Sequence, residues 1–187
     1  PGCICNEEDP AQPSDIYGLT KLAAERCIKE SRFPHAILRI PGLIGESPAG
    51  IGHNFFAEAL RCFMSGEIVT RFTPDRMHYN LDVRALAKVC AGWANNSCRL
   101  PEGVINITGV SRSLHGTFAE FSAAAKRFGG RPICENRDAS EMPWPFMSDE
   151  RFRREVGGIS QRSDADIADA CCRMMIGAQG RREQEHD

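Results

Sequence analysis

Apolar residues recur at helical spacing early in the chain and then give way to a short, mostly apolar run. From Ser14 to about Arg32 the sequence is dense in Leu, Ala, Glu, Lys and Arg, and Ser14 is placed to cap a helix. The run from His35 to Ile40 lies between prolines and predicts a buried strand of a parallel sheet. A helix followed by such a strand is half of a βαβ crossover. The helix's predicted apolar stripe contains Leu19, Leu22, Ala23 and Cys27 or Ile28.

The rest of the chain continues to alternate between helical and extended patterns. Asn54 can cap a helix that Gly66 closes, and residues 131–147 predict a loop with one short strand at most. The charged residues 179–187 predict a disordered tail. The alternation as a whole predicts an α/β fold. Further predicted helices cover residues 82–94, 117–128, 149–155 and 164–176, and further predicted strands cover 68–72 and 104–108.

Composition and charge narrow the classes of partner. The chain is 42% hydrophobic and 26% charged, with a net charge of −2, which gives no electrostatic reason to expect nucleic acid or an anionic membrane as partner. We therefore expect a small-molecule substrate. The nine cysteines are scattered, odd in number and without zinc-site spacing, so they predict reduced thiols and no metal site. The start of the chain lacks the pattern of a signal peptide, and we expect a cytoplasmic protein.

Tyr17 and Lys21 form the chain's best candidate for chemistry. Residues four apart share one face of a helix, so the two side chains should point the same way. A free phenol is a poor proton donor or acceptor at neutral pH, but a nearby ammonium favours the phenolate. Such a pair could move a proton on or off an alcohol or carbonyl oxygen. The alternative is an ordinary pair on the surface of an amphipathic helix.

A longer pattern surrounds this pair. The string YGLTKLAAE, preceded by NEEDPAQPSD and followed by AILRIPGLIGES, resembles the extended branch of the short-chain dehydrogenase/reductase superfamily, the nucleotide-sugar epimerase/dehydratase type. The resemblance implies the C-terminal part of a Rossmann-like, doubly wound parallel sheet, followed by a smaller α/β substrate-binding lobe. It also implies that Tyr17 is the catalytic acid/base. Lys21 would favour its phenolate and bind the nicotinamide ribose of NAD or NADP.

The same resemblance assigns further site residues. Pro41 and Gly42 match a loop that lies beside the nicotinamide. Asn54 matches a residue that contacts the substrate diphosphate, although it is as plausible as a plain helix cap. Arg76 matches the arginine that pairs with substrate phosphate, with Arg71 as its rival. The sequence departs from the family pattern in three positions: the Tyr and Pro around Gly45 are Ile44 and Glu46 here, and an Asn is replaced by Gly42.

Two elements of the family pattern lie outside this sequence. No glycine-rich turn that could hold a pyrophosphate follows a strand, and the polarising Ser or Thr expected about two dozen residues ahead of Tyr17 is absent. We therefore expect residues 1–178 to be the C-terminal portion of an enzyme whose dinucleotide-binding half is absent. Alone, the chain should show no turnover.

Two functions stay open at this point. The first is an NAD(P)-dependent epimerase, dehydratase or reductase, and the second is a non-catalytic member of the fold that binds a dinucleotide or a partner for regulation. The helix that carries Tyr17 and Lys21 contributes to a dimer contact in many members of the family. The resemblance therefore also implies a possible homodimer.

Overall fold

The computed structural model describes residues 4–47, 50–51, 55–73, 75–96, 99, 101–138 and 146–184. They form a mixed α/β fold in which strands from distant parts of the chain pair in parallel. The helices are α1 Ile16–Lys29, α2 Phe55–Ser65, α3 Val83–Ala94, α4 Leu114–Arg127, α5 Glu150–Glu155 and α6 Asp164–Gln184. The strands are β1 Ile4–Cys5, β2 Ala36–Arg39, β3 Gly42–Ile44, β4 Glu46–Ser47, β5 Gly50–Ile51, β6 Ile68–Thr73, β7 Met77–Asp82, β8 Gly103–Asn106, β9 Val110–Ser113, β10 Ile133–Asp138 and β11 Phe146–Met147.

Strands β2 and β8 form a short parallel sheet, here called the half-sheet. Ala36 pairs with Gly103 and Arg39 with Asn106, so both strands end at the same edge. Apolar residues on one face pack with helices α3 and α5 around Leu81, Ile105, Ile107 and Phe152. The predicted strand at 35–40 is confirmed, and its parallel partner is the predicted strand at 104–108.

Helices α2, α4 and α6 enclose the larger core, here called the helical lobe. Phenylalanine rings of α2 and α4 meet edge to face, for example Phe63 and Phe118 at 6.2 Å between ring centroids. Strand β3 contributes Ile44 and strand β6 contributes Val69 to this core. Edge-to-face aromatic packing of this kind adds to the hydrophobic stabilisation of the lobe.

The chain crosses from the half-sheet to the lobe through a three-stranded sheet. After β2, Pro41 turns the chain into β3, which pairs in parallel with β7, and β7 pairs in antiparallel fashion with β9. Gly109 lies between β8 and β9 so close to β7 that an added Cβ would come within 1.7 Å of the Asn80 carbonyl oxygen. Only glycine fits this approach of two backbones.

Several predicted boundaries are corrected. The cap of α1 is Asp15, whose carboxylate accepts from the Gly18 N–H at 2.6 Å, and not Ser14, because the helix begins one residue later. The predicted apolar stripe of α1 is wrong, since α1 buries no residue and Leu19 is exposed. Helix α4 begins at Leu114, earlier than the predicted Thr117, because Ser113 caps it.

Several extended segments and one helix end were missed. Strand β1 lies in the predicted entry loop, and the predicted loop 131–147, which was expected to hold one short strand at most, contains both β10 and β11. The strands without any prediction are β3, β4, β5, β7 and β9. Helix α6 continues through Gln184, so residues 179–184 extend a helix predicted to end at Ile176 rather than begin a disordered tail. Arg, Glu and Gln are good helix formers, and an existing helix can continue through them at little cost.

Candidate functional site

Tyr17 and Lys21 lie on one face of α1, as their spacing predicts. The Lys21 ammonium sits 5.1 Å from the centroid of the Tyr17 ring, a cation–π distance. The Tyr17 side chain is 69% exposed, so the phenol is open to a ligand. Asp15 begins the helix just before Tyr17, and Thr20 donates a hydrogen bond to the Tyr17 carbonyl oxygen at 2.7 Å. The first turn that carries the phenol is therefore well fixed.

Helix α1 is tied to the half-sheet by an ion pair at Arg39. Helix α1 and strand β2 are consecutive, and Glu25 of α1 is bonded to Arg39, the last residue of β2. Tyr17 precedes Glu25 by two helical turns, which places it roughly 12 Å further along the helix axis. A helix that connects parallel strands runs against their direction, so we expect Tyr17 to lie beyond the carboxyl ends of the strands. Ligands of open α/β sheets bind on that side.

Pro41 and Gly42 follow directly from this edge. Gly42 begins β3, pairs with Asn80 and is exposed. Among the described residues, a Cβ at Gly42 would meet only the Tyr79 carbonyl oxygen, at 3.9 Å, so they do not crowd the approach to this backbone. The chain leaves β2 at this point and enters β3.

The predicted substrate residues are only partly described. Asn54 lies outside the described residues. Arg76 is half-buried between β6 and β7; its carbonyl oxygen accepts from the Leu114 N–H at 2.7 Å and its own N–H donates to Asp75 at 2.9 Å. Its rival Arg71 is half-buried on β6, with a buried Nε that makes no hydrogen bond. The structure thus leaves both arginines as candidates.

The family departures Ile44 and Glu46 have structural reasons. Ile44 is buried in the helical lobe, and Glu46 is buried in a cluster of ion pairs. Two guanidinium nitrogens of Arg162 donate to the Glu46 carboxylate, both at 2.9 Å, and Arg84 approaches it at 2.5 Å. Arg162 also donates to both Asp82 oxygens at 2.8 and 2.7 Å. Both residues therefore serve the connection between β3, β7 and the segment just before α6.

This cluster shifts the titration of its members. Burial by itself would raise the pKa of Glu46 and Asp82, but hydrogen bonds and charge from Arg162 hold the pKa of both carboxyls below its usual value. The same two carboxylates raise the pKa of Arg162. Both carboxylates are therefore ionised at neutral pH, which suits a structural clamp and not a general acid.

A second buried polar group lies between β7 and the helical lobe. Asn80 donates to Thr117 at 3.3 Å, and Thr117 donates to Asp164 at 2.9 Å. His78 stacks on Phe56 with 5.1 Å between ring centroids. Burial lowers the pKa of His78, although the charge of Asp164 opposes the shift. His78 therefore packs against the helical lobe.

Sequence reasoning missed most of these polar contacts. Met77–Asp82 alternates with period two, and His78, Asn80 and Asp82 share one side of the strand. That alternation was a usable signal for β7. The partners Thr117 and Arg162 lie 37 and 80 residues further along the chain, where no local pattern points to them.

Cysteines and apolar helices offer no second site. All seven cysteines that the structure describes are free, and burial raises the pKa of Cys171 to about 12 and that of Cys172 to about 11. Such thiols are poor nucleophiles and poor metal ligands. Within the described ranges, no group of His, Cys, Asp and Glu could hold a metal ion, and no helix is long and apolar enough to cross a membrane.

Comparison with solved structures gives the same fold. MoeE5 in complex with UDP-glucuronic acid and NAD superposes with a TM-score of 0.72 at 19% identity, covering 94% of this chain and 60% of that chain. RMD from Pseudomonas aeruginosa complexed with NADPH gives 0.73 at 16%, covering 92% and 60%. UDP-glucose 4-epimerase from Bifidobacterium longum in complex with NAD+ and UDP gives 0.71 at 17%, covering 93% and 58%. This chain thus spans no more than 60% of the length of these proteins.

Family comparison is more specific than the structural likeness. Comparison with curated protein sequences gave no match. Residues 4–128 match the family described as RmlD substrate binding domain, which covers both Tyr17 and Arg76. The chain therefore belongs to the RmlD substrate binding domain family and, as a C-terminal-type portion, to the extended short-chain dehydrogenase/reductase superfamily.

Proposed function

We propose that this chain is the C-terminal part of an NAD(P)-dependent epimerase, dehydratase or reductase that acts on a nucleotide-sugar or a similar hydroxyl- or carbonyl-bearing metabolite. The observation that carries the proposal is the exposed Tyr17 phenol with the Lys21 ammonium 5.1 Å from its ring centroid. The relatives' recorded ligands, UDP-glucuronic acid, UDP, NAD and NADPH, agree with this class of substrate and cofactor.

The residues present fit a nicotinamide nucleotide on this face. Phenol and ammonium can hydrogen-bond ribose hydroxyls, and the exposed backbone at Gly42, next to the half-buried Pro41, leaves room for a flat ring. The cofactor, when bound, supplies hydride transfer. Tyr17 gives or takes the proton of the substrate oxygen, and Lys21 orients the ribose and favours the phenolate.

Substrate recognition is assigned to two further residues. Arg76 and Asn54 are proposed to bind the substrate diphosphate, because a guanidinium pairs with two phosphate oxygens at once and an amide can donate to a third. NAD or NADP would be held mainly by a dinucleotide-binding half like that of the longer relatives. By resemblance to the family, we also propose a cytoplasmic protein and a homodimer contact that includes α1.

Substitution of Tyr17 tests the mechanism. In a protein that joins this chain to its dinucleotide-binding half, Tyr17→Phe should lower kcat by a factor of about 10² to 10⁴, with little change in cofactor affinity. Tyr79→Phe is the matched control, since Tyr79 packs against Phe146 at 6.0 Å between centroids and has no proposed proton to transfer. Unchanged kcat in Tyr17→Phe would leave the phenol with a packing role and favour the non-catalytic regulatory alternative.

The chain alone provides a second test. We expect the purified 187 residues to oxidise no NAD(P)H, because the pyrophosphate of the dinucleotide has no glycine-rich turn to bind. Steady oxidation of NADH or NADPH by the purified chain, abolished in Tyr17→Phe, would contradict the proposal that a separate dinucleotide-binding half holds the cofactor. Isothermal titration with UDP-glucose would show whether this part alone already binds the substrate class, and loss of that binding in Arg76→Met would support the assignment of Arg76.

A further inference from the structure

Helix α1 is attached to the rest of the molecule by very little apolar surface. None of its 14 residues is buried, and Gly18, Leu22 and Glu25 are the half-buried positions that face inward. A helix of this length is marginal in water without tertiary contacts. Whatever fixes α1 against the half-sheet therefore also fixes Tyr17 and Lys21, which lie one position before Gly18 and Leu22.

Glu25 makes the strongest contact of this inward face. The Arg39 guanidinium donates to both of its oxygens, from Nε at 3.0 Å and from Nη2 at 2.9 Å. The side chains are only 21% and 15% exposed for Arg39 and Glu25. The hydrogen bond from Arg39 holds the pKa of the Glu25 carboxyl below its usual value, so the pair is ionised at neutral pH. A two-bond pair of this kind fixes direction as well as distance.

Arg39 itself is held from several sides. Its carbonyl oxygen accepts from the Ile107 N–H at 2.9 Å, which continues the pairing of β2 with β8. Its Nη1 reaches the Glu7 carbonyl oxygen at 3.5 Å, and the Glu7 carboxylate accepts from the Asn106 N–H at 3.0 Å. Arg39 is thus anchored in the carboxyl edge of the half-sheet, while its guanidinium reaches the helix.

We propose that Arg39 is a positioning residue for the catalytic pair: through its two hydrogen bonds to Glu25 it sets the axial and rotational position of α1, and with it the direction of Tyr17 and Lys21. The proposal rests on the proposed function of that pair. Glu25 follows Lys21 by one turn and Tyr17 by two, so the anchor and the two reactive groups lie along neighbouring lines of the same helix. A lysine at position 39 would keep the charge and lose the paired geometry.

Amide hydrogen exchange of the 187-residue chain tests the anchor. Arg39→Met should speed exchange of the α1 amides about tenfold or more and leave the α4 amides unchanged, because only α1 loses its attachment. Arg39→Lys should give a smaller increase. If Arg39 acts through Glu25, the double variant Glu25→Gln/Arg39→Met should exchange no faster than Arg39→Met alone. Arg127→Met, which breaks the ion pair between α4 and Asp169 of α6, is the matched control and should leave α1 unchanged.

Unchanged α1 exchange in Arg39→Met would overturn the proposal, as would an equal increase in α1 and α4 or additive effects in the double variant.

A kinetic measurement distinguishes a positioning role of Arg39 from a purely structural one. In the protein that includes the dinucleotide-binding half, Arg39→Met should lower kcat about tenfold to a hundredfold with KM nearly unchanged, because a misplaced proton donor slows chemistry more than binding. Unchanged kcat in Arg39→Met overturns the positioning role even where Tyr17→Phe is inactive. Retained activity in Tyr17→Phe instead overturns the proposed function, whatever the exchange of α1.

Discussion

Helices α1 and α4 are both 14 residues long and both begin with a side chain that caps the N-terminus, yet they are packed in opposite ways. Asp15 caps α1 and Ser113 caps α4, and each accepts a hydrogen bond from a glycine N–H three residues later. Helix α4 buries five residues, among them Phe118 and Phe121, whereas α1 buries none. Two helices with the same length and the same kind of N-terminal cap can therefore differ greatly in how many residues they bury.

The difference shows how the two helices keep their places. Helix α4 is fixed by apolar burial from several directions, which is worth about 2 kcal/mol for each large side chain. Helix α1 is fixed by its cap and by the bond between Glu25 and Arg39, so its outer face stays open. The exposed helix α1 contains the proposed catalytic pair, whereas the buried helix α4 stabilises the lobe.

The largest expected effect is on the core of the lobe. Phe118→Ala should lower the free energy of unfolding by about 4 kcal/mol, because Phe118 is 1% exposed and its neighbours cannot collapse fully into the space. Phe33→Ala is the matched control at 79% exposure and should change stability little. Urea denaturation followed by circular dichroism measures both. Equal losses in the two variants would contradict the contrast between the regions.

Gly109, where the chain between β8 and β9 passes close to β7, should be the next most sensitive position to substitution. Gly109→Ala should cost about 2 kcal/mol, since its Cβ would overlap the Asn80 carbonyl and force β7 and the crossing chain apart. Gly158→Ala is the control, because no atom of the described residues lies within 4 Å of the Cβ that it would gain. Thermal unfolding of the two variants should therefore differ clearly. A Gly109→Ala protein as stable as the parent would show that β7 can shift at no cost.

Acid should weaken the cluster that joins β3, β7 and α6. The folded pKa of both Glu46 and Asp82 is lowered, so their contribution to stability is fully present above their unfolded pKa, about 4, and is lost as pH falls through the folded values. Urea midpoints measured from pH 7 to pH 3 should fall over the acid part of this range. In Arg162→Met the midpoint should be lower at pH 7 and should fall less with acid, because the carboxylates have lost the cation that lowers their pKa. If the acid dependence is unchanged in that variant, other titratable groups must cause it.

The smallest effect belongs to the exposed helix. Leu19→Ala should change the free energy of unfolding by no more than about 0.5 kcal/mol, since the Leu19 side chain is exposed. Leu60→Ala is the comparison, because Leu60 is fully buried in the lobe and should cost several times as much. A loss in Leu19→Ala that approaches that of Leu60→Ala would mean that α1 packs tightly after all.

The predictions from sequence succeeded where local signals suffice. The order of helices, the strand at β2 and the shared face of Tyr17 and Lys21 follow from spacing and caps within a few residues of each other. The apolar stripe of α1 was wrong because periodicity says which face could be buried and not whether a partner covers it. The catalytic and ligand-binding roles of Tyr17, Lys21, Pro41, Gly42, Asn54 and Arg76 stay predictions.

The sequence alone determined that the chain is an α/β protein with a phenol and an amine one helical turn apart, since both facts depend on residues close together in the chain. Only the tertiary structure decided which polar groups hold the framework. Arg39 finds Glu25, and Arg162 finds Glu46 and Asp82, over separations of 14 to 116 residues. A charged side chain can pair with any oppositely charged group that it can reach. Only the fold decides which particular partner comes within that distance.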